Sequence, residues 1–141
     1  MISNRSIPDS VVIPVLRYPA VPEAVAWLCS AFAFVERLRI ADHRVQLHVP
    51  GGGAVVVAHS HTADGIPVSS TDSVMVRVAD VDAHCARATQ HGATIMNPPT
   101  DFPYGERQYS LTDPWGQAWT FTQTLADVDP SSWGGTLISN V

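Results

Sequence analysis

"YGERQYSLTDPWGQAWTF", residues 104–121, reads as two strands folded over one tight turn. "RQYSLT" and "QAWTFT" alternate as half-buried strands do, and "DPWG" joins them. Asp113, Pro114 and Gly116 stand at the first, second and fourth places of a type I turn. In the first strand Arg107, Tyr109 and Leu111 share one face, with Gln108, Ser110 and Thr112 on the other. In the second, Trp119 and Phe121 point to a core, and Ala118, Thr120 and Thr122 point away from it.

Upstream, "SVMVRV" (73–78) is a strand, with Val74, Val76 and Val78 on the core face. Asp80 caps the helix "VDAHCARATQH" and Gly92 ends it. "ATIM" is a short strand and "NPPTDFPYGE" a long loop. The same order occurs earlier in the chain. "VVIPVLRY" (11–18) is a strand whose Pro14 suggests an edge or a bulge. "VPEAVAWLCSAF" is a helix, with Pro22 in its first turn and Glu23 at its positive end. "FVERLRI", "RVQLHV" and "AVVVA" follow as strands, the last two joined by "PGGG".

The two copies align at an offset of about sixty residues, a period that points to module duplication. "LRYPAV" falls on "VRVADV", and Arg17 on Arg77. The expected fold is α+β: two tandem βαβββ modules forming a curved mixed-sheet cup, with helices outside. The expected divisions are a tail (1–10), a first module (11–58), a linker (59–72), a second module (73–124) and a C-terminal tail (125–141).

The chain has 141 residues, 45% hydrophobic, and a net charge of -5, which permits a real core and disfavours nucleic acid or an anionic membrane as partner. Cys29 and Cys85 both fall in predicted helices among apolar neighbours. They are expected to be buried free thiols in a reducing, cytoplasmic setting. No basic run leads into an apolar stretch at the start, and no segment is apolar enough to span a bilayer.

The faces opposite the core are mixed and polar, as in a pocket lining. By parity they carry Arg17, Gln46, His48, Ser73, Met75, Arg77, Gln108, Ser110 and Thr120. The two arginines suit a ligand carboxylate or phosphate, or they reach solvent from strand ends. His48 is a hydrogen-bonding group, a general base or a structural histidine. Trp115 in the turn and Tyr104 and Phe102 before it form a lip for a flat ligand, or a dimer contact. His59 and His61 make a weak metal pair with no third ligand nearby. His84 and His91 on the second helix cover the sheet edge or face water, and Trp27 and Trp119 belong to the core.

"VLRYPAVPEAVAWLCSAFAF", "VRVADVDAHCARATQHGA" and "YGERQYSLTDPWGQAWTF" resemble the vicinal oxygen chelate superfamily. That group includes glyoxalase I, bleomycin- and fosfomycin-resistance proteins and extradiol dioxygenases. The resemblance spans roughly residues 10–124. It implies a metal ligand early in each module's first strand and a glutamate in its last. Those positions fall near Ile13 and at Ser73, and near Val56 and at Thr120. None is histidine or carboxylate, so a family-type metal and its chemistry are not expected, and no cofactor is assigned. The leading expectation is a homodimeric, metal-independent small-molecule binder of the antibiotic-sequestering kind. The alternatives are a lyase, isomerase or dioxygenase with an atypical site, and an accessory module whose cup makes a subunit interface.

Overall fold

The structure is a computed structural model, and it describes residues 2–60 and 72–139. The chain divides into two compact units, Met1–Ser69 and Ser70–Val141. His61 and most of the predicted linker lie outside the described residues.

In the first unit, β1 (Val15–Tyr18) leads into α1 (Val21–Phe32), followed by β2 (Val35–Ile40), β3 (Arg44–His48) and β4 (Ala54–His59). The sheet order is β1-β4-β3-β2, with β1 parallel to β4 and the other pairs antiparallel. Pro14 is tolerated because β1 is an edge strand; its carbonyl accepts from Val56 N–H at 2.9 Å. The strand is shorter than the sequence suggests. Val11 and Val12, read as its start, are 99% and 77% exposed. Pro22 opens α1, and Ala33 in the left-handed region closes it. The helix buries Val21, Ala24, Val25, Leu28, Ala31 and Phe32, and Val45, Leu47, Val55 and Val57 are buried in the sheet.

The second unit repeats the plan with β5 (Ser73–Arg77), α2 (Val81–Gln90), β6 (Thr94–Phe102), β7 (Glu106–Thr112) and β8 (Ala118–Thr124), in the order β5-β8-β7-β6. Asp80 caps α2 by accepting from Ala83 N–H at 3.0 Å. The core carries Tyr109, Leu111, Trp119 and Phe121, each at most 1% exposed. A short 3₁₀ helix, Pro130–Trp133, follows β8.

Three expectations are corrected here. "NPPTDF" is strand, not loop: β6 runs through Pro98 and Pro99, and register shifts at Ile95/Asn97 and Asn97/Thr100 absorb them on an edge strand. His59 belongs to β4 and not to the linker. Cys29 and Cys85 are free but only half-buried, because each sits at the margin of its helix's apolar stripe. Partial burial raises both thiol pKa values.

Both predicted βαβββ modules are therefore present, as mixed four-stranded sheets of identical strand order. In each, the first strand pairs in parallel with the last, and the long connection that a parallel pair requires is made by the helix and the two intervening strands.

Candidate functional site

In the second module, the register places Met75 beside Thr120 and Arg77 beside Thr122 on one face, with Ser110 and Gln108 across β8 from those threonines. Their side chains form hydrogen-bonded chains. Thr120 Oγ1 lies 3.0 Å from Ser110 Oγ and 3.5 Å from Ser73 Oγ. Gln108 donates from Nε2 to Thr122 Oγ1 (3.1 Å) and accepts from Tyr104 O–H (3.1 Å). Thr122 in turn donates to Glu106 (2.7 Å), and Arg77 Nε donates to Thr124 Oγ1 (3.3 Å). Met75 stands exposed among these groups. The face is a hydroxyl and amide surface with an apolar thioether at one side. It suits directional hydrogen bonding plus hydrophobic contact.

Two of the three aromatic residues expected to form a lip lie together. Phe102 and Tyr104 stack with ring centres 5.4 Å apart, and Trp133 from the C-terminal segment meets Tyr104 at 5.2 Å. That segment is tied down by Leu125 and Ala126 N–H groups, both donating to the Gly105 carbonyl. Gly105 has φ +84°, and a Cβ there would run into the Ala126 carbonyl oxygen, so only glycine fits the crossing. Trp115 is half-buried rather than exposed in its turn. The turn itself is closed by Gly116 N–H to the Asp113 carbonyl (3.0 Å).

Asp113 holds this hairpin from inside. Its Oδ1 accepts from Trp115 and Gln117 N–H, and its Oδ2 from the Trp119 indole N–H at 3.2 Å. Arg107 binds Asp82 and Asp101. Those contacts raise its pKa. His84 was expected at the sheet edge or in water. It is half-buried, its ring 4.0 Å from that of Phe121, with Nδ1 hydrogen-bonded to the Tyr109 hydroxyl. Burial, assisted by the nearby Arg87 charge, pulls its pKa down to about 4, and burial pushes that of Tyr109 up.

In the first module, Arg17, Ala58 and Arg44 are register partners across β1, β4 and β3, so they share a face, as do Val15, Val56 and Gln46. His48 lies farther along β3, exposed at the strand end. Gln46 is 5% exposed and fully engaged: Arg37 donates to its Oε1 (2.6 Å), and its Nε2 donates to the Ser6 carbonyl (2.9 Å). Arg37 also donates to the Arg5 carbonyl (3.0 Å), so the N-terminal segment is anchored beside Gln46. A cavity of about 350 Å³ is lined by Arg17, His43, Arg44, Ala58 and His59. Of these, the sequence reading singled out Arg17 as a ligand-binding candidate and put His59 in the linker. Their convergence depends on pairing between distant strands, which no local pattern carries.

The resemblance to metal-binding relatives can be tested on donor chemistry. Ser73 and Thr120 are neighbours, as are Val56 and the segment at Pro14, so each module brings the two relevant positions together. They offer aliphatic groups in one module and mutually bonded neutral hydroxyls in the other, a set that does not fit a divalent ion. Among the described residues, no group of three or more His, Cys, Asp or Glu side chains could hold one. No helix of the described residues is long and apolar enough to cross a membrane.

Comparison with solved structures shows 35% identity to TioX from Micromonospora sp. ML1, covering 82% of this chain and 99% of that one, with a TM-score of 0.69. A glyoxalase/bleomycin resistance protein/dioxygenase from Nocardioides is 17% identical over 97% of this chain and 92% of its own, with a TM-score of 0.68. Lactoylglutathione lyase from Agrobacterium tumefaciens is 15% identical over 90% and 98%, with a TM-score of 0.63. At those lower identities the likeness is one of fold. No curated protein matches the chain. The sequence profile of the Glyoxalase/Bleomycin resistance protein/Dioxygenase superfamily matches residues 10–121. With tandem βαβββ modules, their shared strand order and this match over most of its length, the chain belongs to the glyoxalase/bleomycin resistance protein/dioxygenase superfamily.

Proposed function

We propose that this protein is a metal-independent binder of a small aromatic or amphipathic molecule, acting by sequestration in antibiotic resistance or self-resistance. The observation that carries this reading is the Ser73–Thr120–Ser110 hydroxyl chain, standing where family enzymes would place metal ligands. Such groups hold a ligand by hydrogen bonds but supply neither a Lewis acid nor a strong base. The exposed Met75 and the Phe102–Tyr104–Trp133 cluster offer the apolar and aromatic contact that such a ligand needs. In the second module Arg77, Gln108 and Trp115 belong to this proposed binding set; in the first module Arg17 and His48 are proposed binding residues. Gln46 joins them only when the Ser6 carbonyl and Arg37 release its amide. The reading places the protein in the cytoplasm as a homodimer.

Calorimetric titration with a panel of aromatic natural products tests this, alongside metal analysis of the purified protein. Saturable binding by metal-free protein is expected. Stoichiometric zinc, nickel, manganese or iron would turn the reading toward an enzyme. Light scattering decides the dimer.

A further inference from the structure

We infer that the first module carries an oxyanion-binding site built from Arg17, Arg44, His43 and His59 around Ala58, which takes the carboxylate or phosphate end of a small acidic molecule. Arg17 and Arg44 flank Ala58 on one face of the sheet, about 10 Å apart at the backbone, which is two strand spacings. Ala58, 2% exposed, is the small residue between them, and both arginines line the cavity. His43 and His59 close one end, locked together by His59 N–H donating to the His43 carbonyl at 3.0 Å.

The charge of this cavity is one-sided. Its lining contains two guanidinium groups and no carboxylate. All eight basic residues of this acidic chain are arginines. Arg39 and Arg107 are committed to ion pairs with Glu36, Asp82 and Asp101. Among the described residues, neither Arg17 nor Arg44 has a carboxylate partner; Arg17 makes one bond, from Nη1 to the His59 carbonyl at 3.2 Å. Two guanidinium groups that line one cavity without a carboxylate partner suit the planar, bidentate geometry of an oxyanion. At about 350 Å³ the cavity exceeds what a bare anion fills and lies at the small end of organic-ligand sites.

This deepens the binding reading and rests on it for the larger ligand, whereas anion binding stands on the first module alone. The test uses the full chain at low ionic strength, with inorganic phosphate and benzoate as probes, followed by calorimetry and by NMR shift mapping. Saturable binding is expected, with the largest shifts at His43, Ala58 and His59. Arg44→Gln and Arg17→Gln each weaken it about tenfold, while Arg39→Gln leaves it within twofold. Preference for benzoate identifies a carboxylate ligand, and preference for phosphate a phosphate ester. No saturable binding of either probe, shifts centred elsewhere, or unchanged affinity in folded Arg44→Gln would overturn the proposal. Shift mapping on the unaltered protein decides the matter even where a variant fails to fold. A metal-loaded protein would defeat the sequestration reading and leave this site standing.

Discussion

The imidazole Nδ1 of His84 and the hydroxyl of Tyr109 lie 2.5 Å apart on the core side of the second module. The ring also lies against Phe121, so protonation would place a charge among aromatic groups. The folded pKa, about 4, is below histidine's ordinary 6.5. The unfolded chain therefore binds more protons between these values, and stability falls as pH falls. The stabilisation is complete above pH 6.5 and lost on descending toward pH 4. Allowing for partial exposure of the ring, it amounts to about 2 kcal/mol. Urea unfolding at pH 7, 5.5 and 4.5 should show this slope, and His84→Gln should flatten it.

Asp113→Asn removes one of the two carboxylate oxygens that serve three N–H donors. Either the turn or the buried Trp119 indole then faces an amide NH₂. A loss of about 1–3 kcal/mol is expected by denaturant unfolding. An unchanged midpoint would mean that the hairpin holds without this carboxylate.

Gly105→Ala forces a side chain into the left-handed region and against the Ala126 carbonyl. It should cost about 2 kcal/mol. Because this crossing holds the segment that carries Trp133, the same variant should raise the fluorescence sensitivity to quencher. Thermal unfolding and acrylamide quenching check the two effects separately.

Thr120→Val keeps the shape and deletes the hydroxyl between Ser73 and Ser110. Stability should change by no more than about 1.5 kcal/mol, since a typical hydrogen bond contributes that much or less. Affinity for any ligand found by titration should drop about fivefold or more. Equal affinity in wild type and variant would remove this face from the binding reading.

Local chemistry made much of the fold readable in advance. The Asp113–Gly116 turn, the Asp80 cap and the helix with Pro22 in its first turn each follow from residues within a few positions of one another. Strand parity likewise assigned Trp119 and Phe121 to the core. What stayed hidden depends on partners far along the chain. Pro98 and Pro99 suggest a loop until β7 is known to lie on one side only. His84 looks like a surface histidine until Phe121 and Tyr109 arrive beneath it. Gln46 looks available until the Ser6 carbonyl reaches it from forty positions away. The Arg17–Arg44 pair exists only because β4 inserts between β1 and β3.

The prolines of β6 have one more effect. A sheet's outer strand is where a stray chain can dock by continuing the backbone ladder. At positions 98 and 99 this strand has no N–H to offer, and two register shifts, one just before the prolines and one across them, break the even spacing that a newcomer would need to match. The second module thus protects that border against fibre-like growth through backbone chemistry alone, without a charged side chain at either proline.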